Sequence, residues 1–288
     1  VLSRLWRIPL AFDFQGSLTC EMIDHHFLSS GGTAHRFLRW LEERIDQFPD
    51  AVITSSHNAA HLLETEFGRT AGQVYTIADC VNPGTFHPDA VTPEERAALR
   101  AQYGIPPQAQ VVVYLGILQD YQGIPHLIRA AKRVTEEYPD TYFLIMGFPN
   151  QTRYAALAQE VGVGHRVLLP GQVPYEHTPK HLALGDIAAA PKLSATEGAA
   201  KLLYYMSTGL PIVAFDTPVS GEYLGDLGLC AEPGSVEGLA NCILALLADP
   251  EAARQRGRAL RERVIERYTW KQGGQRITEI YEKVCPHP

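Results

Sequence analysis

Several signals that would assign this chain to other structural classes are missing from its sequence. It has no run of about eighteen apolar residues, the length needed to cross a bilayer. Its five cysteines are widely spaced, and no Cys-x-x-Cys pair suggests zinc binding or redox chemistry. This cysteine usage fits a reducing compartment and predicts a cytoplasmic protein. Peripheral contact with the inner face of a membrane stays open.

Three common catalytic or phosphate-binding motifs are also missing. The sequence contains no Gly-x-Gly-x-x-Gly fingerprint and no Gly-Lys-Ser/Thr loop, which disfavours a dehydrogenase and a nucleoside triphosphatase. It contains no Gly-x-Ser-x-Gly elbow, which disfavours a serine hydrolase. Basic residues form no run, and the net charge is −7, which argues against nucleic acid as a ligand. A small, partly phosphorylated ligand remains compatible with this charge.

Apolar runs alternate with helical patterns over most of the 288 residues. This alternation predicts an α/β fold with parallel sheets covered by helices. The expected strands are 10–14, 51–54, 74–77, 111–115, 142–146, 167–169, 187–190, 212–214 and 228–231. We expect an incomplete amino-terminal domain over 1–103, a second domain over 104–267, and a terminal helical segment over 268–288 that returns to the first domain.

The segment from Ser194 to Pro218 carries the clearest chemical signal. Its small residues open a helix whose first amides are unobstructed, and a buried strand follows Gly209. The amino end of such a helix can bind an anion, and in a parallel sheet this turn lies at the carboxyl edge, where ligands bind. The alternative is that Gly198, Ala199 and Ala200 only allow close packing of the helix against its strand.

A series of short motifs resembles the family 4 glycosyltransferases with the GT-B fold, over about residues 53–281. The motifs are Ala51-Val-Ile-Thr-Ser-Ser56, Phe86-His-Pro88, Val113-Tyr-Leu-Gly116, Gly123-Ile-Pro-His-Leu-Ile128, Leu144-Ile-Met-Gly147, Leu169-Pro-Gly171, Leu182-Ala-Leu-Gly-Asp186, Lys201-Leu-Leu-Tyr-Tyr-Met206, Gly209-Leu-Pro-Ile-Val213 and Tyr268-Thr-Trp270. Each motif is weak alone. Their shared order and spacing carry the resemblance.

The resemblance implies an enzyme of two Rossmann-like domains that transfers a hexose with retention from a nucleotide diphosphate sugar. The acceptor, a glycan, a lipid or a small molecule, would bind the first domain, and no metal or other cofactor is expected. The implied donor-binding residues are Gly116, Ile117, Gln122, Gly147, Val173, Lys192, Gly198, Ala199, Ala200, Lys201 and Tyr204. The implied catalytic residues are Glu197, Asp13 and Gln15. Because the chain begins with valine in mid-pattern, we expect it to be amino-terminally truncated and inactive alone.

The sequence departs from the family pattern at three donor-site positions. Ile117 and Gln122 stand where relatives usually carry arginine and lysine, and Tyr204 stands where a glutamate normally binds the ribose. Lys192 and Lys201 are candidates to replace the lost charge. The alternative is that both lysines are solvated. Tyr204 can offer a hydroxyl to the ribose or can fill a packing face.

Polar residues follow the first strand, in the usual setting of a binding loop. They are Asp13, Gln15, Ser17 and Glu21. Gln15 replaces a histidine of many relatives, so its expected role is positioning, because an amide cannot act as an acid or base. Ordinary loop polarity is the alternative. The pairs His25–His26 and His177–His181 are interpreted as surface residues, since neither has a third ligand nearby.

Two other functions stay open beside the glycosyltransferase. The chain could be a non-catalytic nucleotide-sugar or glycan-binding relative, because charged donor-site residues are missing. It could also be a sugar-nucleotide epimerase of the same two-domain architecture, which would be expected to place carboxylates and histidines in its cleft.

Overall fold

The computed structural model describes residues 2–6, 8–24, 27–194 and 198–285. The strands are β1 (Ala11–Phe14), β2 (Ala51–Thr54), β3 (Val74–Thr76), β4 (Gln110–Leu115), β5 (Thr141–Met146), β6 (Val167–Gly171), β7 (Ile187–Ala190), β8 (Ile212–Phe215) and β9 (Leu229–Ala231). The helices are α1 (Leu2–Trp6), α2 (Leu18–Asp24), α3 (Thr33–Asp46), α4 (His57–Thr65), α5 (Pro93–Gln102), α6 (Ile124–Glu137), α7 (Gln151–Val161), α8 (Thr178–Leu182), α9 (Ala200–Ser207), α10 (Pro218–Leu224), α11 (Val236–Ala248), α12 (Pro250–Arg267) and α13 (Trp270–Val284).

The chain divides into two compact units. The first comprises residues 1–80, 194–199 and 268–288, and the second comprises residues 81–193 and 200–267. The boundary expected at 103/104 therefore differs from the observed division, because residues 81–103 group with the second unit. One link is the Ser207 hydroxyl, which donates to the Phe86 carbonyl at 2.6 Å.

The first unit contains a parallel sheet in the order β1-β2-β3. Its small core includes Phe14, Val52, Leu63 and Phe67, with the two phenylalanine rings edge to face at 6.1 Å. Ser56 caps α4 by accepting a hydrogen bond from the Ala59 amide. Phe14 of β1 and Val52 of β2 therefore pack against α4 in this core.

The second unit contains a six-stranded parallel sheet in the order β6-β5-β4-β7-β8-β9. Every residue of β5, β7 and β8 is buried, as expected for strands covered by helices on both faces. From the centre of the sheet, the order β4-β5-β6 extends to one side and the order β7-β8-β9 extends to the other. The order therefore reverses between β4 and β7, which is where parallel α/β sheets bind ligands.

The predicted α/β class is confirmed, and most predicted elements agree with the structure within two residues. The sequence analysis missed α1 and α2. It assigned Ser17 and Glu21 to a binding loop, but Glu21 lies within α2. The Ser17 hydroxyl is fully buried and accepts a hydrogen bond from the Cys20 amide. The loop assignment was therefore wrong for Glu21, whereas Ser17 lies in the loop directly before α2 and caps its first turn.

Candidate functional site

The loops that follow β4 and β5 are held together by glycine. Gly116 directly follows β4, and its amide donates to the Met146 carbonyl at 3.0 Å. Gly147 follows β5 with φ 155°. A Cβ built on Gly147 would lie 1.8 Å from the Gly116 carbonyl oxygen. Only glycine fits this close approach, which fixes the loop that opens the site.

The loops that follow β4 and β7 also meet closely. Gly123 has φ 77°, and a Cβ on it would lie 1.8 Å from the Pro191 carbonyl oxygen. Beside it, the Leu193 amide donates to the Tyr121 carbonyl at 2.8 Å. These contacts join the two loops across the point where the strand order reverses. The second unit therefore has a pre-formed loop pair at its switch point.

Lys201, in the first turn of α9, reaches across this switch point. Its ammonium donates to the Gln122 Oε1 atom at 2.6 Å and to the Tyr114 hydroxyl at 2.9 Å. A Cβ built on Gly116 would lie 2.9 Å from the Lys201 Nζ atom. Lys201 is half-buried, and Gln122 is 6% exposed. The structure thus brings together three of the predicted donor-site residues: Gly116, Gln122 and Lys201.

Two tyrosines that the sequence analysis did not single out as site residues support this cluster. The Tyr114 hydroxyl donates to the Ile117 carbonyl at 2.9 Å, and its ring is fully buried. Burial raises the pKa of Tyr114 well above its usual value of 10. The Tyr205 hydroxyl accepts a hydrogen bond from the Leu115 amide at 2.7 Å. Tyr205 therefore fastens α9 to the end of β4, and burial raises its pKa as well.

The other predicted donor-site residues of this unit lie on loops. Ile117 is 48% exposed, so the apolar residue at the arginine position faces solvent. Val173 follows β6, Lys192 follows β7, and both are half-buried. Ala200 is exposed at the first position of α9.

Tyr204 lies one turn after Lys201, and its ring stacks on Phe86 with centroids 4.5 Å apart and planes at 26°. Phe86 is fully buried and also meets Tyr175 edge to face at 5.7 Å. The stacking of Tyr204 on Phe86 agrees with a packing role for Tyr204, one of the two roles that the sequence left open. A role for its hydroxyl stays a prediction.

In the first unit, Asp13 and Gln15 lie at the end of β1. Both are exposed, and the Gln15 amide donates to the Asp13 carboxylate at 2.6 Å. In the sheet register, the last residue of β1 pairs with Thr54, so Gln15 and Ser55 continue from neighbouring strand ends. The Gln15 amide therefore contacts the Asp13 carboxylate, and a positioning role for Gln15 stays a prediction.

Gly198 and Ala199 directly precede α9, which begins at Ala200. A Cβ on Gly198 would lie 3.3 Å from an Asp79 carboxylate oxygen and 3.3 Å from the Ser55 hydroxyl. Burial and the Asp79 charge raise the pKa of the neighbouring Cys80 thiol. The Asp79 carboxylate and the Ser55 hydroxyl therefore lie beside Gly198 within the first unit. Glu197, the other catalytic candidate, lies outside the described residues.

Ser55 and Asp79 are edge residues that the sequence analysis did not select. A recognisable signal was present, because Ser55 directly follows the buried strand β2 and Asp79 closely follows β3. Residues just beyond neighbouring parallel strands share one edge of the sheet.

The histidine pairs form no described metal site. His181 Nδ1 contacts the His177 carbonyl, and its Nε2 contacts the Tyr103 hydroxyl. His25 and His26 lie outside the described residues. Within the described ranges, no group of three His, Cys, Asp or Glu residues has a metal-binding arrangement. In the same ranges, no helix combines the length and apolar character that crossing a bilayer requires.

A cavity of about 240 Å³ lies at the opposite, amino edge of the larger sheet. Its polar groups are used for structure: the Asp186 carboxylate accepts from the Val111 amide, and Arg96 donates to the carbonyls of Ala183 and Leu184. This cavity is therefore distinct from the switch point.

Comparison with known proteins defines the class. The parallel α/β units have the fold of GT-B glycosyltransferases. Residues 95–263 match the family described as Glycosyl transferases group 1, and this match covers more than half of the chain. The chain belongs to this family.

Two relatives and one solved structure illustrate the similarity. The GDP-mannose-dependent alpha-(1-6)-phosphatidylinositol monomannoside mannosyltransferase of Mycolicibacterium smegmatis is 29% identical over 82% of this chain and 63% of its own length. The alpha-D-kanosaminyltransferase of Streptomyces kanamyceticus is 24% identical over 99% of this chain and 73% of its own length. The Anabaena protein HepE, solved in complex with UDP-glucose, has a TM-score of 0.83 and 19% identity over 98% of this chain and 74% of its own. The chain thus spans about two thirds of the length of these proteins.

Proposed function

We propose that the chain is the donor-binding part, with some of the acceptor-binding part, of a retaining family 4 hexosyltransferase that uses a nucleotide diphosphate sugar. The single observation that carries this proposal is the Lys201 ammonium, fixed at the switch point of the larger sheet against Gly116. Membership of the family supports it, and so does the UDP-glucose complex of the structurally similar Anabaena protein.

The chemistry of such a transfer matches this placement. The bond between the sugar and the diphosphate breaks while positive charge develops on the sugar, so negative charge grows on the leaving phosphates. A fixed ammonium and the amides at the start of α9 stabilise that growing charge without reorganisation. The remaining donor-site residues of the second unit, Gly147, Ile117, Val173, Lys192, Ala200 and Tyr204, would line the rest of the site.

Catalytic roles are proposed for residues of the first unit and of the segment before α9. Asp13 would contact the transferred sugar. Gln15 would orient the Asp13 carboxylate through the hydrogen bond between the two side chains. Glu197 would act near the donor, and Gly198 and Ala199 would shape the backbone there. The acceptor is proposed to be a glycan, a lipid or a small molecule, and no metal is required.

A specific observation favours one alternative, a non-catalytic nucleotide-sugar-binding relative. Ile117, Gln122 and Tyr204 replace side chains on which the family's donor contacts depend, and the Tyr204 ring is committed to Phe86. Such a protein would bind a nucleotide sugar through Lys201 without turning it over.

Two measurements test the proposal. Isothermal titration with UDP, GDP, ADP and dTDP is expected to show binding of at least one diphosphate to this chain. Incubation of the whole enzyme, of which we propose this chain is a part, with UDP-glucose and GDP-mannose and candidate acceptors, followed by NMR of the anomeric proton, is expected to show a product with the configuration of the donor. Binding without product supports the non-catalytic alternative, and an altered nucleotide sugar identifies an epimerase. If no diphosphate binds, the proposed function is wrong.

A further inference from the structure

The Lys201 ammonium lies in a directional hydrogen-bond chain. The Tyr114 hydroxyl donates a hydrogen bond to the Ile117 carbonyl at 2.9 Å and accepts one from the Lys201 ammonium at 2.9 Å. Gln122 Oε1 accepts a second hydrogen bond from the ammonium at 2.6 Å. The same ammonium lies 4.4 Å from the centre of the Tyr114 ring. Two hydrogen bonds and one ring contact, to Tyr114 of β4 and to Gln122 in the loop that follows, therefore place the charge.

Both acceptors are rigid, because their surroundings leave them little freedom. Tyr114 is fully buried and Gln122 is 6% exposed, on the short 3-10 turn Asp120–Gln122. Gly123 closes that turn with positive φ, directly against Pro191. The loop therefore holds its acceptors in place before any ligand arrives.

Both acceptors are also electrically neutral. A glutamine side chain does not ionise. Burial keeps the Tyr114 hydroxyl protonated by raising its pKa well above 10. Neither group cancels the lysine charge, whereas a carboxylate at either place would. These two acceptors thus hold the ammonium at the switch point without placing a negative charge of their own beside it.

We propose that Gln122 and Tyr114 are positioning residues, which hold the Lys201 ammonium for the diphosphate of the nucleotide donor. This inference rests on the proposed function. Residues 122 and 201 form a pair in which one carries the charge and the other accepts its hydrogen bond. The two side chains meet at 2.6 Å, so the charge can be moved from α9 to the loop after β4 by exchanging them.

The experiment compares binding of UDP and uridine, or of whichever diphosphate and nucleoside pair the wild-type chain binds best. Isothermal titration is performed on the wild type, Lys201→Met, Gln122→Met, Tyr114→Phe and the exchanged double variant Gln122→Lys/Lys201→Gln. Lys132→Met removes an exposed lysine of α6 and is the matched control. The melting temperature of each variant verifies that it is folded.

Lys201→Met is expected to weaken diphosphate binding about 10- to 100-fold, the range for a lost charge-assisted hydrogen bond. Nucleoside binding should change less than about twofold. Gln122→Met and Tyr114→Phe should weaken diphosphate binding about 3- to 10-fold, because the charge remains but is less well placed. The exchanged variant should recover binding to within about fivefold of the wild type, and the Lys132 control should bind as the wild type does.

Two results would overturn the inference while the proposed function stands. The first is diphosphate binding by folded Lys201→Met equal to that of the wild type. The second is an exchanged variant that is folded and binds no better than Lys201→Met. Equal losses for diphosphate and nucleoside in Tyr114→Phe would show general damage to the loop and would also contradict a positioning role. If the wild type binds no diphosphate, the proposed function and this inference fail together.

Discussion

Asp46, at the end of α3, is a buried carboxyl whose charge should destabilise the first unit near neutral pH. Its side chain is 2% exposed, and its Oδ2 atom has no hydrogen-bond partner in the structure. Burial, and then the nearby Glu42 charge, raise its pKa from 3.8 to about 6, although Arg69 and Arg39 act in the opposite direction. The folded state therefore holds the Asp46 proton more tightly than the unfolded state does.

The sign of the pH dependence follows from this difference. The stabilising contribution of protonated Asp46 is fully present below pH 3.8 and is lost as the pH rises through about 6. At ~1.4 kcal/mol per pKa unit, the whole loss is at most about 3 kcal/mol, and about 2 kcal/mol of it falls between pH 4.5 and 7.5. Asp46→Asn keeps the shape of the side chain and cannot ionise. We expect this variant to gain up to about 3 kcal/mol over the wild type at pH 7.5 and much less at pH 4.5.

The assay is urea unfolding followed by tryptophan fluorescence across this pH range. The three tryptophans, Trp6, Trp40 and Trp270, all belong to the first unit, so the signal reports that unit alone. Glu279→Gln changes an exposed acid of α13 in the same unit and should shift stability by less than about 0.5 kcal/mol at every pH. A constant difference between Asp46→Asn and the wild type from pH 4.5 to 7.5 would refute the reasoning.

Three further substitutions, two of them with a matched control, test close packing and helix capping. Gly147→Ala places a Cβ 1.8 Å from a backbone oxygen of the loop after β4 and should weaken diphosphate binding at least tenfold or prevent folding. Its control is Gly162→Ala, because Gly162 also has positive φ but a Cβ there would have nothing within 4 Å. This control should lower the free energy of unfolding in urea by only about 1 kcal/mol. Gly257→Ala on α12 places a Cβ 2.1 Å from a backbone oxygen and should lower the melting temperature by several degrees. Its control is Gly274→Ala on α13, where a Cβ would have nothing within 4 Å and should stabilise the protein by about 0.5–1 kcal/mol. Equal effects of the two substitutions would contradict close packing at Gly257. Thr92→Ala removes the hydrogen bond that the Thr92 hydroxyl accepts from the Glu95 amide at the start of α5 and should cost about 1 kcal/mol; an unchanged unfolding midpoint would show that this cap is not stabilising.

Interpretation of the first unit was hardest from sequence, for a physical reason. Ser17 and its neighbours are polar, and polarity after a strand is equally typical of a binding loop and of a helix start. The Ser17 hydroxyl is fully buried because it contacts Thr19 and Glu42, a residue 25 positions away. No local pattern carries information about a partner at that separation, so the burial of Ser17 could not be predicted from its neighbours.

Lys201 also shows what the sequence could predict and what it could not. Its spacing before Met206 and Gly209 supported a family resemblance, but a solvated helix lysine would have had the same spacing. Its contacts with Tyr114 and Gln122 join residues 79 and 87 positions apart. Those contacts exist only because α9 lies across the ends of β4 and β7.

Local signals along the chain were sufficient for the order of the strands and of most helices, the α/β class and the family. Those properties depend on periodicity, capping residues and motif spacing, which act over a few neighbouring positions. Strand order, the switch point between β4 and β7, the approach of Gly147 to Gly116 and the position of the Lys201 charge were decided by tertiary structure. Each of these depends on atoms that are close in space and distant in sequence, and their meeting is a property of the packed sheet as a whole.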